Sequence, residues 1–335
     1  MKIATLTLNP ALDRTMYFDN VKIGELNRAA APSVTTHGGK GTNVSCVLKI
    51  LGIESTAYGF TGGDNGGLFL KLLEPYQINN DFTNTKCNTR MNIKIISGDG
   101  ESTEFNESGG PVDKTEKDDI ITKIKNVINE IDLFVMGGSV PPGIEKSIYR
   151  DIINLSGSKT KFIIDCDGEA LKLCMENTKK PFIIKPNQFE LEQYTGKKFY
   201  LENDFDFNNE IIKIEQELKK IYKETNVTVL CTLGRHGGMY CGSEGTYYLK
   251  SPKVEVKGFA GAGDTFLTAF IAVYFEMFDN LPYKLANREM TALSFAIAAS
   301  AAKVKKPGTE FAELNEIAEM YEIITGDIKN KKRSF

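Results

Sequence analysis

Five short runs rich in β-branched residues punctuate this chain: KIATLTL (2–8), DLFVMG (132–137), KFIID (161–165), PFIIK (181–185) and VTVLCTL (227–233). Each is followed by a loop and then by amphipathic or charged sequence such as 116–131, 144–155, 168–178 or 208–225. No other feature constrains the fold as strongly. Strands that alternate with helices are joined by crossovers and run parallel, and a parallel sheet is covered by helices on both faces. The expectation is an α/β/α three-layer fold around a mostly parallel sheet.

Two stretches break this rhythm. Residues 11–36 and 88–107 contain TMYFDNVKI, MNIKIIS and STEFNE, which alternate with period two and have no helix after them. They predict a small separate antiparallel sheet. Past residue 245, TYYLKSPKVEVKG predicts further strands before the terminal helices, and the acidic run LENDFDFNNEII (201–212) predicts a surface insertion ahead of a helix. Without repeats or a low-complexity linker, residues 1–335 are expected to form one domain carrying that β excursion.

Composition narrows the function classes. A net charge of −3 offers no global basic field for nucleic acid or an acidic membrane surface. Six cysteines show no C-x-x-C spacing and only two histidines occur, His37 and His236, both expected in loops, so a structural zinc site is not expected. Reduced thiols in a cytoplasm fit the cysteine pattern better than a disulfide framework. The apolar run at MKIATLTLNPALDR is too short for a signal peptide and reads as a first strand, and no stretch of about 18 apolar residues predicts a membrane span.

The loops after the strands carry the chemistry. In open parallel sheets ligands bind beyond the carboxyl ends of the strands. Here those loops read MGGSVPPG, DCDGEA, KPNQFE and LGRHGG. In GGKGTNVSCVLKILG (38–52), Val44, Val47, Leu48 and Leu51 fall at helical spacing, which predicts a helix from about Thr42. Gly38, Gly39 and Gly41 would let a ligand approach the backbone there, and Lys40 adds charge at a helix start suited to an anion. In GFAGAGDTF (258–266), Gly261, Ala262 and Gly263 can turn successive N–H groups toward one point, ahead of a helix from about Asp264. Read from these residues alone, Asp264 is either an N-cap or a base that takes a proton from an attacking hydroxyl. No G-x-x-x-x-G-K-[ST] and no G-x-G-x-x-G occurs, which disfavours P-loop and dinucleotide folds.

Taken together, LTLNPALD, GGKGTNV, SVPPG, KPNQFE, LGRHGG, GAGDTF and AAKVKKPGT span nearly the whole chain. They resemble the ribokinase-like sugar kinases of the phosphofructokinase B family. Within it, LNPALD, GGKGTN, TRMNIKI, GESTEFNE and GGSVPPG look most like 1-phosphofructokinases, with tagatose-6-phosphate kinases close by. The resemblance implies ATP-dependent phosphorylation of a sugar phosphate with Mg²⁺, here fructose 1-phosphate to fructose 1,6-bisphosphate, with a tagatose-6-phosphate kinase, a 6-phosphofructokinase or a non-catalytic sugar-phosphate-binding regulator as the alternatives. It implies Asp264 as general base and Gly261, Ala262 and Gly263 as anion hole. Asp13, Gly38, Gly39 and Asn43 would hold the sugar, and Lys40, Arg90 and Arg28 its phosphate, with Asn92 and Ser139 nearby. Lys185, Asn187 and Glu190 would serve the nucleotide phosphates, Asn187 and Glu190 orienting Mg²⁺ through water. Thr232, Gly234 and Gly237 would face the adenosine, against helices around 291–302.

The residues of TRMNIKI fit such a role, because Arg90, Asn92 and Lys94 alternate onto one face of a strand. One departure stands out. Relatives usually carry Asp-Thr where this chain has Gly258 and Phe259, and that pair is linked to a monovalent-cation site. Potassium activation is therefore not expected here. The resemblance implies that the β excursion is a lid over the sugar and that two lids pair into a homodimer, which fits a ribbon that cannot bury its apolar face alone.

Overall fold

The structure is a computed structural model that describes residues 1–98, 101–202, 206–282, 284–285 and 287–333. Residues 203–205, in the middle of the acidic 201–212 run, lie outside the described residues. The first half of the chain forms β1 (Ile3–Thr7), β2 (Ala11–Phe18), β3 (Val34–Gly38), α1 (Lys40–Ile50), β4 (Thr56–Gly62), α2 (Gly63–Leu73), β5 (Asn79–Thr85), β6 (Arg90–Ser97), β7 (Ser102–Asn106), α3 (Lys114–Val127), β8 (Leu133–Gly137) and α4 (Ile148–Leu155). There follow β9 (Lys161–Asp165), α5 (Gly168–Glu176), β10 (Ile183–Ile184), α6 (Gln188–Thr195), α7 (Phe207–Thr225), β11 (Thr228–Thr232), β12 (Gly238–Gly242) and β13 (Gly245–Leu249). The chain then closes with α8 (Ala262–Tyr274), α9 (Arg288–Val304) and α10 (Leu314–Arg333).

All five β-branched runs become strands of one nine-stranded sheet, ordered β13-β12-β11-β10-β9-β8-β1-β4-β5. From β5 to β11 neighbours pair in parallel, while β12 and β13 add an antiparallel hairpin at the edge. Strand alternation sends side chains to two cores. Ile3, Leu133, Val135 and Ile163 pack under α1, α8 and α9, whereas Leu6, Phe134, Met136 and Phe162 pack against α3, α4, α5 and α7. Each such side chain, fully withdrawn from water, contributes about 1.5–3 kcal/mol. The expected three-layer α/β/α arrangement is what these two cores build.

The second sheet has the order β3-β2-β6-β7 and comes from the two stretches that break the helical rhythm. Its outer pairs, β2 with β3 and β6 with β7, are antiparallel, but β2 and β6 run parallel, with Asp13 opposite Asn92. The reason is topological. β1 and β5 point the same way in the main sheet, so β2 and β6 leave its carboxyl edge in the same direction. Other differences are local. α1 starts at Lys40 rather than Thr42, and α8 at Ala262 rather than Asp264. His37 lies in β3 and is buried, not in a loop, and His236 closes a short 3₁₀ turn, Gly234–His236. After β13 no strand forms at 250–256, and β4 and β5 had no counterpart among the sequence-based strands. PFIIK pairs only through Ile183 and Ile184.

Chain order reverses at β1, whose neighbours β4 and β8 lie on opposite sides. That reversal opens a crevice at the carboxyl ends of the strands, the usual binding place of such sheets. Both lid excursions begin on that edge.

Candidate active site

Loops from five strand ends meet in the crevice: Asn9 after β1, Ser139 after β8, Asp165 at the end of β9, Lys185 and Asn187 after β10, and Thr232 at the end of β11. Two helix N-termini close on it from the other side. Gly39 precedes α1 with φ 135°, and Gly261 precedes α8 with φ 78°. Both values lie in the positive-φ region that glycine occupies without strain. A Cβ on Gly39 would stand 2.7 Å from Thr7 Cγ2, and one on Gly41 2.5 Å from the Leu6 carbonyl, so α1 starts tight against β1. Thr7 Oγ1 accepts the Thr42 N–H at 2.8 Å, which fixes that first turn.

Asp264 occupies the third position of α8, and its side chain caps nothing. It is buried and accepts a hydrogen bond from the Asn43 side-chain amide at 2.7 Å, joining the first turns of α8 and α1. Burial raises its pKa to about 6, and the Asp165 carboxylate pushes in the same direction. The cap reading therefore fails. Ala262 donates its N–H to the Phe259 carbonyl at 3.1 Å. The first-turn donors without an intrahelical partner are then those of Gly263 and Asp264.

Asp165 sits at the centre of the charges. Its Oδ1 accepts from Lys40 Nζ at 2.7 Å and its Oδ2 lies 3.1 Å from Lys185 Nζ. Burial works against its charge, but Lys185 and Lys40 outweigh burial and hold the carboxyl below the usual range. Lys40 also reaches Glu190 Oε1 at 3.3 Å. Burial disfavours the Lys40 ammonium, yet Asp165 and Glu190 hold its pKa well above the ordinary value. Glu190 and Asn187 form a capping box on α6: Asn187 N–H donates to Glu190 Oε2 at 2.8 Å and Glu190 N–H to Asn187 Oδ1 at 2.9 Å. The box sets the Glu190 carboxylate facing Lys40.

Toward the lid, Asp13 accepts from Asn92 Nδ2 at 2.8 Å, and burial raises its pKa. A Cβ on Gly38 would stand 2.3 Å from Asp13 Oδ2, so only glycine lets this carboxylate lie on the backbone. Arg90 donates to the carbonyls of Asn9 at 3.2 Å and Glu107 at 2.8 Å, which holds its guanidinium across the cleft mouth. Asn9 Nδ2 donates to Ser139 Oγ at 3.0 Å.

Most of these groups line neighbouring clefts. A cleft of about 710 Å³ brings together Asp13, Gly39, Lys40, Asn43, Arg90, Ser139, Gly261 and Asp264. A second of about 380 Å³ brings together Asn187, Thr232, Gly234, Gly237, Ala262 and Gly263, with Ile297 and Ser300 of α9. Asn92 lines a wider space of about 870 Å³ beneath the lid. Lys185 Nζ lies 3.4 Å from where a Gly263 Cβ would be. Gly38, Lys185 and Glu190 do not line these clefts but lie against residues that do, whereas Arg28 is exposed on the loop between β2 and β3 and lines none of them. The sequence did not single out Asp165, Asn9 or Lys146, although Asp165 stands in the DCDGEA loop and Lys146 follows SVPPG.

Glu190 and Asn187 present hard oxygen donors of the kind Mg²⁺ accepts. Each of those oxygens has a protein partner already, so they suit contact through the water molecules that Mg²⁺ tends to keep. Among the described residues no three His, Cys, Asp or Glu side chains form a cluster able to hold a metal by themselves, and no helix is long and apolar enough to cross a membrane.

The profile of the pfkB family carbohydrate kinases matches residues 6–316. A 1-phosphofructokinase of Borreliella burgdorferi is 35% identical over 274 residues, covering 81% of this chain and 84% of the relative. A 1-phosphofructokinase of Escherichia coli K12 is 30% identical over 322 residues, 95% of this chain and 96% of the relative. In fold, phosphofructokinase-2 of Escherichia coli in complex with substrates and products superposes with a TM-score of 0.82 at 23% identity, over 97% of this chain and 100% of that one. With two glycine-led helix starts, a buried aspartate between them and a lid over the cleft, this chain belongs to the pfkB family of carbohydrate kinases.

Proposed function

We propose that the protein transfers the γ-phosphoryl group of ATP to the 6-hydroxyl of fructose 1-phosphate, giving fructose 1,6-bisphosphate and ADP. The observation that carries this reading is the convergence of two helix N-termini on one buried carboxylate, Asp264, poised near pH 6. Such a carboxylate is ionised at neutral pH and still basic enough to accept a proton. It takes the hydroxyl proton as that oxygen bonds to the γ-phosphorus, and the bond to the bridging oxygen breaks toward ADP. Phosphoryl transfer asks the protein mainly for position and charge stabilisation, and the first-turn N–H groups of α8 with Lys185 and Lys40 offer both.

In this reading the 710 Å³ cleft takes the sugar, with Asp13, Asn43 and Gly39 on its hydroxyls and Arg90 on its phosphate. Arg90 has the planar fork for that task, and Lys146 and Ser139 line the same cleft. Lys40 stands between Asp165 and Glu190, so we assign it to the transferring phosphate rather than to the sugar's own. The 380 Å³ cleft takes the adenosine beside Thr232, Gly234 and Gly237. Mg²⁺, held through Glu190 and Asn187, would neutralise charge on the nucleotide phosphates. The exposed faces of β3 and β7, with Val34 and Phe105 in water, favour a homodimer through the lid. Its buried thiols, Cys166 and Cys174 among them, suit a reducing cytoplasm.

The test is product analysis. Incubation with MgATP and fructose 1-phosphate should give ADP and a sugar with two phosphate monoesters by phosphorus NMR. Release of inorganic phosphate without a bisphosphate, or an unchanged sugar, would refute the reading.

A further inference from the structure

His37 is a buried titratable side chain that the proposed reaction leaves unused. It stands in β3, three residues ahead of α1, and is withdrawn from water. The rings of Tyr76, which closes the short turn Glu74–Tyr76, and Phe311 cover it, with centroids 5.2 and 6.1 Å from its own. Its Nε2 lies 4.0 Å from Cys46 Sγ of α1. Its Nδ1 is buried and has no partner of hydrogen-bonding geometry among the described residues, and the same holds for Asn43 Oδ1 in the first turn of α1. Buried polar atoms are almost always paired, so a possible donor and an acceptor left over on two facing side chains ask for one explanation.

The orientation of the Asn43 amide follows from its other partner. Its Nδ2 donates to Asp264 Oδ2 at 2.7 Å, and a carboxylate only accepts, so the nitrogen faces Asp264 and the oxygen faces inward. That nitrogen also lies 3.7 Å from where a Gly261 Cβ would be, at the N-cap of α8. Because the oxygen is buried, a sugar in the cleft cannot supply its donor. His37 can. Burial lowers the His37 pKa to about 4, and the Asn43 side chain acts against that lowering, as an oxygen beside the ring does. The imidazole is therefore neutral at ordinary pH and carries one N–H. Burial also keeps Cys46 a thiol, and burial, Cys46 and Glu310 push the Tyr76 hydroxyl up to about 12. Between a thiol sulfur and an amide oxygen the oxygen is the stronger acceptor, which puts the ring proton on Nδ1.

We propose that His37 is a positioning residue: with a slight turn of ring or amide its Nδ1–H donates to Asn43 Oδ1, and the amide so fixed holds the Asp264 carboxylate toward the acceptor hydroxyl. The inference rests on the kinase reading above, in which Asp264 is the base. Without His37 the amide is free to turn about its last torsion. Its hydrogen bond to Asp264, which lowers that carboxyl's pKa, then weakens, while Asp165 still raises the pKa and Lys185 and Lys40 still lower it.

Two measurements test this. Nitrogen NMR of wild type labelled at histidine reads the tautomer directly, and with only two histidines in the chain a His37 variant assigns the signals. His37 should stay neutral from about pH 5.5 to 8 with its proton on Nδ1. A proton on Nε2, or a charged ring in that range, would overturn the proposal. The second measurement is kinetic. His37→Asn keeps an N–H where Nδ1 stands, whereas His37→Leu has nearly the same shape without one. His37→Leu should lose about tenfold in kcat at pH 6 but only about twofold at pH 8, its acid limb moved up by about one pH unit and its MgATP KM within about threefold. His37→Asn should keep kcat within about threefold of wild type and leave the limb in place. A side chain that served only packing would give the reverse order, because leucine fills an apolar site better than asparagine. Wild-type kcat and limb in His37→Leu, or a His37→Asn no better than His37→Leu, would overturn the proposal. Should His37→Leu fail to fold, the tautomer decides alone. Absence of ADP formation by wild type would sink the kinase reading instead, and the tautomer still tests the link from His37 to Asn43.

Discussion

Replacing Asp264 by asparagine separates its burden on the fold from its proposed work. The side chain changes by one atom, and the amide oxygen can still accept the Asn43 hydrogen bond that now measures 2.7 Å. Stability should not fall. Folding raises the Asp264 pKa from 3.8 to about 6, so the folded state binds its proton more tightly than the unfolded chain. The ionised group therefore costs stability at pH 7, by at most about 3 kcal/mol, and that cost is relieved as pH falls through 6. Asparagine removes the charge, and Asp264→Asn should melt at or above the wild-type temperature at pH 7. Turnover should behave oppositely. Without a base, kcat should drop by about two to four decades. In wild type about nine-tenths of molecules carry the base at pH 7 and about one-tenth at pH 5, so turnover should fall about ninefold between them. The assay is coupled ADP release from pH 5 to 8, with calorimetric melting on the same samples. A variant within about threefold of wild type, or a flat wild-type profile between pH 5 and 7, would refute the assignment of Asp264 as base.

Three further substitutions probe the neighbours. Asp165→Asn leaves Lys40 and Lys185 without their shared counter-charge and should destabilise by about 3–5 kcal/mol in urea titration. Because the Asp165 charge also raises the Asp264 pKa, the acid limb of any residual activity should move to lower pH. Gly38→Ala drives a methyl onto the Asp13 carboxylate and should raise sugar KM about tenfold or more while leaving ATP KM unchanged. Asn187→Ala breaks the α6 capping box and should cost about 1 kcal/mol by urea midpoint, with a raised KM for MgATP as Glu190 loses its orientation.

The layered fold was legible because its hydrophobic runs, such as DLFVMG and KFIID, are short, β-branched and spaced by helices. Strand β4, TAYGFTG, was not: two glycines and scattered polar residues hide it, and β5, NNDFTNT, is a polar edge strand stabilised by its one neighbour. The starts of α1 and α8 were misplaced for one reason. Glycine N-caps at φ 135° and 78° leave no side-chain signature, so periodicity alone marks each helix too late. The parallel pairing of β2 with β6 depends on where two excursions leave a larger sheet, which no local pattern encodes. In the cleft, residues inside glycine motifs were readable one at a time. Asp165 was not, since it meets Lys40 across 125 positions.

Substrate preference is the most direct test of fructose 1-phosphate as the acceptor. Wild type would be given MgATP with fructose 1-phosphate, fructose 6-phosphate, tagatose 6-phosphate and ribose, and kcat/KM read from ADP release. Fructose 1-phosphate should be preferred by about 100-fold or more. Faster turnover of either 6-phosphate would keep the transfer chemistry and contradict the assigned substrate. Binding of a sugar phosphate without any ADP would contradict catalysis itself.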